Sequence, residues 1–152
     1  MTTVRAIVQE LSHLEGALLP ILHRVQEALG FVPREALPVI AQALNLSRAE
    51  VQGVLGYYSH FRQQPAGRCV VQVCAAESCQ AMGGEALLMH ARATLGCSVA
   101  QPASGDGAYT VTPVYCLGLC ALSPAVTIDG QAHARMTPAR LDTLLAAKEL
   151  LP

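Results

Sequence analysis

Four of the six cysteines in this 152-residue chain fall into two short clusters, Cys74-x4-Cys79 and Cys116-x3-Cys120, separated by an apolar stretch punctuated by glycine. Whatever fold the chain adopts has to seat these four thiols. Thiolates are soft, anionic ligands that suit iron–sulfur clusters and zinc. A reduced chain that keeps four of them on short loops is better suited to holding metal than to bonding sulfur to sulfur. The spacing points first to a [2Fe-2S] cluster held by Cys74, Cys79, Cys116 and Cys120. Structural zinc is the rival reading, although zinc knuckles more commonly use C-x2-C. Disulfides would need an oxidising compartment, and without a C-x-x-C pair the chain cannot carry out thioredoxin-type dithiol chemistry.

Composition narrows the setting. Hydrophobic residues make up 52% of the chain and charged residues 14%. That leaves too little polar surface to cover the outside, so some apolar surface is expected to meet another protein. The net charge is -1 and the basic residues are scattered. The electrostatic footprint that holds a phosphate backbone is missing, and nucleic acid is not expected as a partner. Arg5 and Glu10 interrupt what would have to be the apolar core of an N-terminal targeting segment. Pro20, Pro33, Pro38 and charged residues keep every apolar run well short of the roughly 20 residues that span a bilayer. A cytoplasmic protein without a membrane span is expected.

The pattern divides the chain into residues 1–64 and 65–152. From Val4 to Tyr57 it is helical. Leu18, Leu19, Leu22, Val25, Ala28 and Leu29 recur at three- and four-residue steps before Gly30, a natural stop. Pro33 suits a first helical turn ahead of Leu37, Ile40, Ala41 and Leu44. Ser47-Arg48-Ala49-Glu50 spells a capping box. Beyond the turn-like stretch Gln63 to Gly67, residues 68–74 form a β-rich run. A helix is expected over 84–95 with Gly96 as its cap, a strand over 109–115, a short strand over 125–128, and a hairpin turn at Asp129-Gly130. A last helix capped by Thr137-Pro138 is expected to run to Leu150. The second part therefore reads β-α-β-β-β-α, or the same with one strand fewer.

On this plan Cys74 closes the first strand, Cys79 lies in the loop before the helix, and Cys116 and Cys120 straddle the loop after the long strand. Loops at strand ends can present sulfur from one side of a sheet, whereas cysteines along a strand would point to alternate faces. Gly83, Gly84 and Gly118 are expected to let backbone N–H groups approach the anionic sulfurs. Cys69 and Cys97 read as small buried hydrophobes. His13, His23, His60, His90 and His133 show no metal-ligand spacing. Tyr57, Tyr58 and Phe61 read as packing at the junction of the two parts. No Ser-His-Asp set, phosphate-cradling loop or paired acids appear, so no catalytic residues for bond-making chemistry are expected.

The segments Val73-Cys74, Cys79-Gln80-Ala81-Met82-Gly83-Gly84 and Tyr115-Cys116-Leu117-Gly118-Leu119-Cys120-Ala121-Leu122-Ser123-Pro124-Ala125 resemble the thioredoxin-like [2Fe-2S] ferredoxin family. That family is typified by the 24 kDa subunit of NADH:quinone oxidoreductase. The likeness extends upstream through Gly53 to Tyr58 and Phe61-Arg62 to the N-terminal helices. Within the family, Ala76 to Gly83 and the short helical N-terminus are most similar to the gamma subunit of soluble NAD-linked formate dehydrogenases. Ser123, where many relatives carry alanine, is a departure not expected to affect ligation.

The resemblance implies an α+β chain, an N-terminal helical bundle followed by a thioredoxin-like domain that binds a [2Fe-2S] cluster. It implies Cys74, Cys79, Cys116 and Cys120 as ligands, and a partner flavoprotein subunit of beta type carrying FMN and NAD. It further implies a larger complex with a molybdenum- or tungsten-containing formate-oxidising alpha subunit. The equivalent subunit of NADH:quinone oxidoreductase or of an NAD-linked hydrogenase diaphorase stays open, as does a zinc-stabilised interaction module without redox activity.

Overall fold

The computed structural model of the chain describes residues 1–149. The expected helix end at Leu150 lies outside the described residues. The chain groups into two compact units, one from Met1 to Pro65 and one that begins at Ala66. The first contains α1 (Thr2–Leu11), α2 (Leu18–Leu29), α3 (Ala36–Ala43) and α4 (Arg48–Tyr57). Apolar residues at helical spacing turn one face of each helix inward. Val4, Ile21, Leu22, Val25, Ile40 and Val51 are all fully buried in a shared core.

The helix boundaries follow from local chemistry. Gly30 ends α2 in a left-handed conformation, φ 81°, which glycine adopts without a Cβ clash. At the start of α4 the Glu50 N–H donates to the Ser47 hydroxyl at 3.1 Å and the Ser47 N–H donates to the Glu50 carboxylate at 2.7 Å. Both partners of the capping box are therefore engaged. That backbone bond, followed by the hydroxyl, holds the Glu50 carboxyl below its usual range. Pro33 departs from expectation. It lies in a turn ahead of α3, its carbonyl accepting from the Ala36 N–H at 2.9 Å, because a fixed φ also suits the opening of a turn.

After α4 the chain is clamped by a buried polar side chain. The Gln26 amide donates to the His60 carbonyl at 2.9 Å and its oxygen accepts the Arg62 N–H at 2.7 Å. Phe61, between them, is thereby set into the helical core with its ring 4.9 Å from His23. Tyr57 and Tyr58 do not follow it. Tyr57 is 81% exposed, and the two tyrosines meet edge to face at 5.0 Å on the surface. Of the three aromatics expected to pack as core, Phe61 alone does so. Tyr57 is the last residue of α4 and Tyr58 already has extended backbone, so both have left the buried helical stripe.

The second unit is built on a mixed four-stranded sheet with strand order β2-β1-β3-β4, comprising β1 (Cys69–Cys74), β2 (Tyr109–Val114), β3 (Val126–Ile128) and β4 (Gln131–His133). β1 and β2 run parallel, and β1–β3 and β3–β4 run antiparallel. Parallel neighbours need a crossover, supplied here by α5 (Glu77–Ala81) and α6 (Gly84–Thr94). The β3–β4 turn places Asp129 and Gly130 at φ 48° and 82°, the positive pair that an Asp-Gly hairpin requires. α7 (Pro138–Glu149) starts with the Arg140 N–H donating to the Thr137 hydroxyl at 3.2 Å. Its Lys148 pairs with Asp129, and its Asp142 accepts from His90 of α6 at 2.8 Å. Val71, Val73, Val111 and Val126 are fully buried and share a core with Leu87 and Leu141. Cys69 and Cys97 are buried in the same core, as a small hydrophobe would be.

α5 is the main departure in this unit. Cys79, expected in a loop, lies inside this five-residue helix. A single turn is too short to show an apolar period, and Gly83 at φ 91° separates it from α6. Gly84 then allows close packing. A Cβ there would stand 2.7 Å from the Cys79 carbonyl oxygen and 3.0 Å from that of Cys74. Open space surrounds the Cβ positions of Gly83 and Gly118, and both provide positive φ, 91° and 74°; the Gly118 N–H approaches a cysteine sulfur as expected.

Two outcomes are expected from this packing. Gly84→Ala should destabilise the second unit by about 2–3 kcal/mol through overpacking, whereas Gly105→Ala, with open space and no positive φ, should stay within about 0.5 kcal/mol. Urea unfolding of the two variants checks the contrast. Gln26→Ala should cost about 2 kcal/mol, because two backbone groups lose their partner. Hydrogen exchange should show the Arg62 amide losing protection.

Candidate metal centre

The parallel register sets Cys74 level with Val114. The chains leaving β1 and β2 therefore emerge side by side, about 4.8 Å apart. The Ala75 N–H donates to the Val114 carbonyl at 2.8 Å, and the Cys74 N–H donates to the Ala125 carbonyl at 3.0 Å, drawing in the segment that precedes β3. Three cysteine-bearing or cysteine-adjacent segments thus meet at one end of the sheet. Carboxyl ends of parallel strands are where ligands commonly sit in such sheets.

Cys74 and Cys79 are buried together against Ala125, with Val114, Leu117 and Leu119 packed around them. Cys116 lies two residues beyond β2 at φ 94°, an unfavourable conformation for a residue with a side chain that persists only where the surroundings enforce it. The Gly118 N–H points at the Cys116 sulfur, 3.4 Å away. Cys120 opens a short 3-10 helix, Cys120–Leu122.

The Cys120 carbonyl accepts from the Ser78 hydroxyl at 3.1 Å and from the Ser123 hydroxyl at 2.6 Å, and the two hydroxyls are 2.7 Å apart. These bonds tie the last cysteine's loop to α5.

The electrostatics favour anionic sulfur at one position. Burial pushes the Cys74 thiol up, but the Ala76 N–H, the Cys79 thiol and the Leu117 and Cys116 N–H groups together outweigh it and hold Cys74 below its ordinary value. Burial, then the hydrogen bond with Cys74, raises Cys79, against bonds from the Ala125 N–H and the Ser123 hydroxyl. Cys97, outside this constellation, is raised by burial.

The structure thus buries two of the four cysteines, Cys74 and Cys79, in one small cluster and leaves Cys116 and Cys120 exposed. Among the described residues, no three cysteine, histidine, aspartate or glutamate side chains gather as they would around a single ion. Two irons divide four thiolates between them, whereas structural zinc draws four ligands onto one centre. The donor set fits, with four thiols at one sheet end and N–H groups directed at their sulfurs. His90 is engaged with Asp142, and His23 and His60 lie in the helical unit. Sequence reasoning missed Ser78 as a site residue and gave Ser123 no role. The one available signal was that each stands beside the cysteine motifs.

Comparison with known proteins gives the family. The chain matches the family described as thioredoxin-like [2Fe-2S] ferredoxin over residues 4–149. It is 34% identical to a subunit of the NADH-quinone oxidoreductase of Pseudomonas aeruginosa over 93% of this chain and 87% of that one. It is 27% identical to the HndA subunit of the NADP-reducing hydrogenase of Solidesulfovibrio fructosivorans, over 91% of this chain and 81% of that one. Among solved structures, an NAD+-reducing [NiFe]-hydrogenase in the air-oxidized state superposes with a TM-score of 0.67 at 26% identity. The match covers 89% of this chain but 23% of that one. With a family match running from residue 4 to residue 149, the chain belongs to the thioredoxin-like [2Fe-2S] ferredoxins.

Proposed function

We propose that this chain is the electron-transfer subunit of a multi-subunit NAD-linked oxidoreductase in the cytoplasm. In this reading Cys74, Cys79, Cys116 and Cys120 ligate a [2Fe-2S] cluster, and FMN and NAD reside on a partner flavoprotein. The observation that carries it is the meeting of the two cysteine motifs at one end of the sheet, where Cys74 stands level with Val114 in the parallel β1–β2 pair and the Gly118 N–H points at the Cys116 sulfur. When bound, the cluster supplies one-electron capacity beside a flavin that handles two.

The chain's own residues set how readily that capacity is used. The N–H groups stabilise negative charge on sulfur and so favour the reduced state. Buried Cys74 and Cys79 keep one side dry, while Cys116 and Cys120 stand at the surface. Tyr115, 69% exposed, and Met82, 62% exposed, lie beside the cysteine loops in sequence. They offer apolar surface for another chain, as the composition requires. No helix among the described residues is long and apolar enough to cross a membrane. The division of labour belongs to the same proposal, with residues 1–64 as the helical unit and 65–152 as the cluster-binding domain.

The finer assignment is to a formate dehydrogenase, whose alpha subunit would hold molybdenum or tungsten. Its support is the similarity of Ala76 to Gly83 and of the short helical N-terminus to gamma subunits. A diaphorase of hydrogenase type is favoured instead by the superposition at TM-score 0.67, and a respiratory role by the Pseudomonas aeruginosa relative. The chains that co-purify decide between them. Bleaching of the visible bands by formate in the complex supports the first, and bleaching by hydrogen or by NADH alone supports the others.

Protein purified without oxygen should be red-brown, contain iron and acid-labile sulfide in equal amounts, about two of each per chain, and give an EPR signal when reduced. Cys79→Ser should lose or weaken the cluster while Cys97→Ser leaves the spectrum unchanged. Equal damage from both would refute the ligand set.

A further inference from the structure

The starts of α3 and α4 meet over a shallow groove of about 460 Å³, lined by Arg34, Leu37 and Pro38 on one side and by Arg48, Ala49 and Gln52 on the other. It lies wholly within the helical unit. Leu37 is buried, Pro38 and Gln52 are half-buried, and Arg34, Arg48 and Ala49 are exposed. Both arginines stand on fixed backbone. The Arg34 carbonyl accepts the Leu37 N–H at 3.2 Å, and Arg48 opens α4 inside the capping box of Ser47 and Glu50.

Among the described residues, neither guanidinium has a hydrogen bond or an ion pair. The nearby acids do not answer them. The Glu50 carboxylate accepts the Ser47 N–H at 2.7 Å, and Glu35, next to Arg34 in sequence, does not line the groove. Charged residues make up only 14% of the chain, so two unanswered cations at one groove are a local concentration of positive charge. The first turns of the two helices add potential of the same sign.

A guanidinium fork binds a carboxylate through two parallel hydrogen bonds. The floor of Leu37, Pro38 and Ala49 offers nothing to a small hydrated anion, but an apolar side chain of a polypeptide would cover it. The Gln52 amide can both donate to and accept from a peptide backbone. We propose that this groove docks an acidic segment of another subunit, which sets carboxylates on Arg34 and Arg48 and an apolar side chain on the floor between them. This rests on the chain being a subunit of a multi-subunit oxidoreductase. The groove contains none of the four clustered cysteines, so docking through it is separable from cluster binding.

The test measures binding of the purified chain to the complex prepared without it, at rising salt. Wild type is compared with Arg34→Glu, Arg48→Glu, the double variant, and Arg5→Glu, which reverses an exposed charge on α1. Each groove reversal is expected to weaken binding about tenfold, and the double variant about a hundredfold, with iron content unchanged. Wild-type affinity should fall with salt more steeply than that of the double variant. Arg5→Glu should stay within about twofold of wild type. A double variant that binds as tightly as wild type, or an equal loss from Arg5→Glu, would overturn the docking groove. A wild-type chain that binds no such complex would overturn the multi-subunit reading, and the groove with it.

A second arm does not depend on charge reversal and decides if the glutamate variants fail to fold. Lys148 is the one lysine of the chain, so a variant carrying Arg34→Lys and Arg48→Lys gains two amines that keep the positive charge. In the assembled complex a carbodiimide activates a carboxylate, and a neighbouring amine displaces the urea to form an amide. Mass spectrometry should find positions 34 and 48 joined to aspartate or glutamate within one segment of another subunit. No amide at either position, or amides to a second copy of this chain, would overturn the proposal.

Discussion

The parallel pairing of β1 with β2 is the constraint on which the rest of the second unit depends. With Cys74 level with Val114, two segments far apart in sequence leave the sheet as neighbours, one bearing Cys74 and, in α5, Cys79, the other Cys116 and Cys120. A one-residue slip would turn alternate side chains to the wrong face. The register is held by the valines of β1 and β2 in the core and by the backbone bonds Ala75–Val114 and Cys74–Ala125. The crossover through α5 and α6 is what makes parallel pairing possible. Gly84 brings the start of α6 against the Cys74 and Cys79 carbonyls without a clash.

On that frame the chemistry is a matter of compensation. Four thiolates and the sulfides they would surround are anionic, and burying them without donors would be costly. The chain answers with backbone N–H groups on three segments and two serine hydroxyls tied to one carbonyl. The unfavourable φ of Cys116 belongs to this arrangement. Its sulfur receives the Gly118 N–H at 3.4 Å. Burial is graded across the site, from Cys74 and Cys79 inside to Cys116 and Cys120 at the surface, as expected of a centre that must exchange electrons with a neighbouring protein.

Much of this was legible in the residues, for physical reasons. The capping box at Ser47, the stop at Gly30, the Asp129-Gly130 hairpin and the Thr137 cap are local signals, and local chemistry decides them. The two cysteine clusters stand out as motifs because few other uses of four thiols at such spacing exist, and the ligation read from them remains the proposal. Other features were illegible because they are not local. Pro33 has the same fixed φ in a turn as in a helix, so sequence could not choose between them. One turn of α5 has no period to detect. Tyr57 and Tyr58 have the composition of core residues, yet the helix ends beneath them. Gly83, Gly84 and Gly118 look alike in sequence, though one permits close packing and two supply positive φ. The roles of Ser78 and Ser123 appear once the fold closes a gap of 45 residues between them.

The central claim is that the sulfurs of positions 74, 79, 116 and 120 share one two-iron centre at the carboxyl ends of β1 and β2. Diffraction from anaerobically grown crystals, measured on either side of the iron absorption edge, tests it directly. The account requires an anomalous signal for two adjacent irons bounded by these four sulfurs. A single peak at the zinc edge, or iron bound without Cys116 and Cys120, would contradict it.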